Sequence, residues 1–124
     1  MAKERIALTK FETEVMRALW RLGEATVREL QSAIDRDEQP AYTTVQTIVQ
    51  RLEQKGAVRR TRKAGNAFFF EPVITRKSVY RRLVEELLDL IGGSQPLVAH
   101  LVETGKLSID DLKAVEKAAK RSGK

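Results

Sequence analysis

Residues 42–72 read YTTVQTIVQRLEQKGAVRRTRKAGNAFFFEP, and the apolar period changes part-way along. In the first half, Val45, Ile48, Val49 and Leu52 recur at helical spacing, which predicts a helix from about Tyr42 to Lys55. Gly56 stops it, because glycine tolerates the left-handed backbone. The helix start has two readings. Thr43-Thr44-Val45-Gln46 could form a capping box, or Thr43 could already lie in the first turn. In the second half, Val58 to Lys63 and Ala67 to Glu71 flank Ala64-Gly65-Asn66. Val58, Phe68, Phe69 and Phe70 favour strand, Gly-Asn favours a tight turn, and Pro72 blocks continuation. A two-stranded hairpin with a basic tip is expected to follow the helix.

Two shorter helices precede this stretch. Thr9-Lys10-Phe11-Glu12 has capping-box form, with Phe11, Val15, Ala18, Leu19 and Leu22 at helical spacing behind it. Gly23 ends that helix. Thr26-Val27-Arg28-Glu29 repeats the signal ahead of Val27, Leu30, Ala33 and Ile34. The second helix dissolves into Asp35-Arg36-Asp37-Glu38-Gln39-Pro40, since proline disfavours helix at the residue before it.

Three short helices and then a hairpin is the order of a winged helix-turn-helix, whose third helix reads DNA. Opposite the apolar stripe of that helix lie Thr43, Gln46, Thr47, Gln50 and Gln54, with no acid among them. Glutamine can bond adenine bidentately, and a threonine methyl can pack on thymine. The expected base-reading residues are Thr43, Thr44, Gln46, Thr47 and Gln50. A polar surface helix is the competing reading, but surface helices ordinarily carry Lys and Glu rather than Thr and Gln.

Charge follows the same segment. The chain carries +6 at neutral pH, and residues 51–82 alone carry +8, with ten basic and two acidic side chains. A polyanionic partner is the natural complement. Arg51, Arg60, Arg62 and Lys63 are the expected phosphate contacts. An edge hairpin protected by charge against aggregation would also carry such residues.

Beyond the hairpin the chain reads as helical. Thr75 can cap a helix to about Ile91, Ser94 or Gln95 with Pro96 opens another through Glu103, and Ser108-Ile109-Asp110-Asp111 opens a last one. The tail from Lys120 to Lys124 should fray. The first of these helices has two adjacent apolar stripes: Val79, Leu83, Leu87 and Leu90, then Tyr80, Val84, Leu88 and Ile91. A face this wide needs more cover than two short helices of the same chain supply. A second copy resolves this, with Leu97, Leu101, Leu112 and Val115 joining the interface. The expected architecture is mainly α with a small β-hairpin wing. A winged helix-turn-helix occupies residues 1–74 and a helical dimerisation domain residues 75–124.

Other classes fit poorly. The 124-residue chain has no cysteine, so disulfides and cysteine-based metal sites or nucleophiles are excluded. No apolar run reaches membrane-spanning length and no signal-peptide pattern opens the chain, which reads as cytoplasmic without direct membrane insertion. His100 is the only histidine, and Asp110-Asp111 suit a first helical turn better than paired catalytic carboxylates. No Gly-rich phosphate loop is present. An enzyme is not expected, and no cofactor or metal is implied. A protein-docking winged helix that never touches DNA stays open as the alternative.

These residues resemble the BlaI/MecI family of penicillinase repressors over nearly the whole chain. The likeness rests on Leu8 to Glu12 leading to Val15 to Trp20, on Ala25 to Leu30, on Tyr42 to Thr47 continuing to Arg51 to Gly56, and on Phe70-Glu71-Pro72. The resemblance implies a homodimer that represses by binding an inverted repeat, a near-palindromic operator in double-stranded DNA. It also implies release through a membrane-bound sensor metallopeptidase, by cleavage at an Asn-Phe bond in the helix matching Ser94–Glu103. The dipeptide at that place here is His100-Leu101. Copper-responsive relatives use C-terminal cysteines, which this chain lacks.

Overall fold

A computed structural model describes residues 6–121. The order is α1 (Lys10–Leu22), β1 (Ala25–Thr26), α2 (Val27–Ala33), α3 (Tyr42–Gln54), β2 (Val58–Ala64), β3 (Ala67–Pro72), α4 (Arg76–Ile91), α5 (Ser94–Glu103) and α6 (Ile109–Arg121). Three helices followed by a hairpin and then three more helices match the expected fold class.

The local signals act as their chemistry requires. Thr9 accepts the Glu12 N–H at 3.1 Å, and Glu12 accepts the Thr9 N–H at 2.8 Å. Thr26 and Glu29 repeat this box at 3.2 and 2.9 Å. Each box satisfies two N–H groups that a helix start leaves without partners. At the end of α3, Gly56 takes a φ of +80°. This lets the Ala57 N–H return to the Leu52 carbonyl at 2.8 Å, and the fully buried Ala57 turns the chain into the hairpin.

β3 is central in a three-stranded antiparallel sheet of order β1-β3-β2. β1 is an addition to the expected hairpin. It comprises only Ala25 and Thr26, opposite Phe70 and Phe69, and two residues are too few to show an alternating pattern. Thr26 also caps α2, so one residue joins the sheet and starts a helix.

The core is formed by Val15, Met16 and Leu19 of α1, Leu30 of α2, and Val45, Val49 and Leu52 of α3, closed by Val58, Phe70, Ile74 and Val79. One charged side chain lies among them. Glu12 is 2% exposed and receives the Lys55 ammonium at 2.6 Å. Lys55 also donates to the Ala7 carbonyl at 3.0 Å, so a single ammonium ties the end of α3 to the start of α1.

The chain divides into two compact units inside α4, Met1–Arg82 and Leu83–Lys124, rather than at the 74/75 junction expected from the sequence. The reason lies in the first turns of α4. Trp20 of α1 donates its indole N–H to the Ile74 carbonyl at 2.9 Å, and its ring meets Tyr80 edge-on with centroids 5.9 Å apart. Val79, grouped by periodicity with the dimer stripe, is buried in the winged-helix core. It is corrected to a core residue, and Tyr80 has an aromatic partner within its own chain.

The second unit is built differently. Ser108 and Asp111 form a capping box for α6 at 3.0 and 3.1 Å, as Thr75 caps the start of α4 within the first unit at 3.1 Å. Yet no described residue beyond Val79 is buried. The last residues of the tail, 122–124, lie outside the described residues.

Candidate nucleic-acid interface

The third helix sorts its residues as the periodicity requires. Val45, Ile48, Val49 and Leu52 are buried, while Thr43, Thr44, Gln46, Thr47, Gln50 and Arg51 are exposed. Unlike α1 and α2, α3 has no side-chain cap and no acid in its first turn. The open choice about its start is thereby decided: Ala41 is the N-cap and Thr43 lies within the helix. The Thr47 hydroxyl donates to the Thr43 carbonyl at 3.0 Å. With its donor committed to the backbone, Thr47 offers a base its methyl and an acceptor. Gln46 and Gln50 have no hydrogen-bond partner among the described residues and keep both amide functions for a base edge.

The wing is set by a bulge. Arg59 stands opposite Glu71 and Arg60 opposite Phe70, but Arg62 stands opposite Phe69, leaving Thr61 as an extra residue in β2. Side chains alternate between the faces of a strand, so Phe69 and Phe70 point oppositely. Arg60 lies over Phe68 at 4.4 Å, whereas Arg62 lies over Phe69 at 3.8 Å. The two arginines therefore occupy opposite faces of the wing, although their spacing alone would put them on one. Lys63, opposite Phe68 and 5.2 Å from its ring, joins Arg60.

Each face has its own anchor. Arg60 donates to Glu53 of α3 at 3.0 Å, and Arg62 donates to Glu24 at 3.3 Å. The bulged Thr61 hydroxyl also donates to Glu24. The Thr61 hydrogen bond is the main reason why the Glu24 carboxyl is held below the usual carboxylate range, with Arg62 assisting and desolvation opposing. Arg59 pairs with Glu71. Arg51 and Lys63 make no ion pair among the described residues.

Between α3 and the wing lies a cleft of about 230 Å³, lined by Tyr42, Gln46, Gln50, Arg60, Phe68 and, from α2, Arg28. The Arg28 guanidinium sits 5.4 Å from the Tyr42 ring centroid. The expected base-reading glutamines and the wing thus come together. Arg28 and Tyr42 are additions to the site that the sequence reading did not single out. Arg28 lies in the first turn of α2, a helix whose stripe signals only packing, and its approach to Tyr42 exists only once α2 and α3 have folded. Thr43 and Thr44 lie on the same helix outside the cleft lining, and Lys63 stands at its rim through Phe68.

The penicillinase repressor family model matches residues 8–121. The chain belongs to the penicillinase repressor family. The transcriptional regulator BlaI of Mycobacterium tuberculosis is 32% identical over 115 residues, spanning 90% of this chain and 81% of that protein. The solution structure of the DNA-binding domain of the repressor BlaI matches 57% of this chain and 85% of its own, at 27% identity and a TM-score of 0.50. An E. coli MarR solved with operator DNA covers 98% of this chain and 79% of its own at 20% identity and a TM-score of 0.50, a likeness of fold. The chain is therefore one of a family of transcriptional repressors, not of enzymes. Among its described residues no helix is long and apolar enough to cross a membrane.

Proposed function

We propose that this chain acts as a homodimer that binds a near-palindromic operator in double-stranded DNA, with α3 in the major groove and the wing on the phosphate backbone. The observation that carries the reading is the acid-free Thr/Gln face of α3, backed by its buried stripe and flanked by Arg60 and Lys63. A protein-docking winged helix would need an apolar face on α3, and the exposed face is polar. Gln46 and Gln50 read base edges, with Thr43, Thr44 and Thr47 beside them. Arg51 and Lys63, which have no counter-charge among the described residues, bind phosphate directly. Arg60 and Arg62 exchange Glu53 and Glu24 for phosphate on binding.

Dimerisation is supported by the second unit. Leu83, Val84, Leu87 and Ile91 of α4 are exposed, as are Leu112 and Val115 of α6, and Leu88, Leu97 and Leu101 are half-buried. An unfilled apolar surface of this extent marks an interface. Proteolytic release through a membrane-bound sensor metallopeptidase would fall in α5 at His100-Leu101. The absence of any buried residue in α5 supports access, while the dipeptide departs from Asn-Phe.

Selection of bound duplexes from a random library tests the whole reading. The expected product is an inverted repeat with half-sites one helical turn or a multiple apart. Recovery of no preferred sequence would refute it. Gln46→Ala should relax preference at one position per half-site, by about 1–3 kcal/mol against the preferred base. Lys63→Ala should weaken all duplexes alike. It should also flatten the slope of log affinity against log salt by about two, since each lost phosphate contact contributes about 0.9 and a dimer loses two.

A further inference from the structure

A second concavity lies away from the α3 cleft's residues, at the junction of α1 with the start of α4. Its volume is about 240 Å³, and it is lined by Arg17, Trp20, Arg21, Arg76 and Tyr80. Spacing explains the convergence. Arg17 and Arg21 are four apart on α1, and Arg76 and Tyr80 are four apart on α4, so each helix presents its pair on one face. Trp20 and Tyr80 stand at right angles and form an aromatic corner.

Three arginines line this corner and no acidic residue does. Arg17 and Arg76 make no ion pair among the described residues, and Arg21 donates only to the Ala33 carbonyl at 2.6 Å. These three exposed positive side chains, with no acidic residue among the lining, leave the concavity electropositive. A guanidinium fork matches a carboxylate bidentately, and the two rings offer an edge and a face to a planar apolar body. A bare inorganic anion would use the arginines and leave the rings idle.

We propose that this corner is an effector site for a small aromatic carboxylate of one or two rings. Its regulatory meaning rests on the repressor reading above, because α4 continues from this site into the exposed apolar stripes. The site itself does not depend on that reading and is tested without DNA.

Trp20 is the only tryptophan, so its emission reports the site directly. The experiment titrates benzoate into the full chain and follows that emission, with benzamide and inorganic phosphate in parallel. A saturable response to benzoate is expected, with benzamide and phosphate each about tenfold weaker or less, the scale of one lost charge-assisted or stacking contact. Arg17→Ala and Arg76→Ala replace exposed side chains, and each should weaken benzoate by a similar factor. The proposal is overturned by no saturable response, by equal responses to benzoate and either control, or by a response that survives both substitutions. A failure here alongside normal duplex selection would remove the effector site alone; failed selection with intact benzoate binding would remove the operator reading alone.

Discussion

Leu87→Asp is expected to turn the proposed dimer into a monomer and to cut its affinity for a two-half-site operator by about 10²–10⁴, the gain that linking two binding modules ordinarily provides. Leu83 and Leu87 are 42% and 40% exposed at i and i+4 on α4, and no described residue of the second unit is buried. Burying a leucine is worth about 1.5–3 kcal/mol, and a symmetric interface loses the contact twice. An aspartate at the same place adds the cost of burying a charge without a partner. The substitution touches none of the core residues from Val15 to Val79, so the winged helix should remain folded. Sedimentation should give half the mass, while binding to a duplex holding a single half-site stays unchanged. Retention of the dimer mass would exclude α4 as the interface.

Lys55→Met should be the most damaging exposed-to-apolar change in the winged helix, costing about 2 kcal/mol at neutral pH. Breaking a fully buried pair costs about 3–5 kcal/mol, and this figure is discounted because the Lys55 side chain is one-third exposed. The variant leaves the Glu12 carboxylate in the core with only the Thr9 amide beside it. Burial by itself raises the Glu12 pKa. The Lys55 hydrogen bond, the Thr9 backbone N–H and the Lys55 charge outweigh burial together, so the native carboxyl lies below its ordinary value. A depressed folded value stabilises above the unfolded carboxylate range and ceases to do so as pH falls through the folded value. In Lys55→Met the lowering influence of Lys55 is gone and burial remains, so acid favours the folded variant relative to neutral pH. The gap between variant and parent in urea midpoint should therefore narrow from pH 7 to pH 4. An unchanged gap would show that packing of the lysine stem, not charge, holds the two helices. Because total stability of a domain this small is about 5–15 kcal/mol, such a loss is a substantial share of it.

Much of this was legible because it was local. Thr9 with Glu12 and Thr26 with Glu29 specify helix starts within four residues, and Val45 to Leu52 specify which side of α3 faces inward. The α3 cap was ambiguous because Thr43 and Thr44 offer two starts, and the choice of Ala41 follows from how α3 docks. β1 left no trace in pattern, being two residues long. What depended on distant partners stayed hidden. Arg28 meets Tyr42, Glu12 meets Lys55, and Val79 leaves its stripe for the core only because Trp20 and Ile74 bring α4 onto α1. The pairing of Arg60 with Glu53 and of Arg62 with Glu24 could not be read from charge totals, which count each arginine as free.

The extra residue at Thr61 sets a parity for everything beyond it in β2. Counting from Arg60, the bulge shifts Lys63 from an odd to an even place, and so from the outer surface of the wing to the side that meets α3. Were Thr61 paired opposite Phe69 as an ordinary strand residue, composition and net charge would be untouched and yet Arg62 and Lys63 would exchange addresses, whereas deleting Thr61 keeps Arg62 opposite Phe69 and Lys63 opposite Phe68. The distribution of positive charge over the two faces of the wing thus depends on a backbone irregularity at a residue that carries no charge.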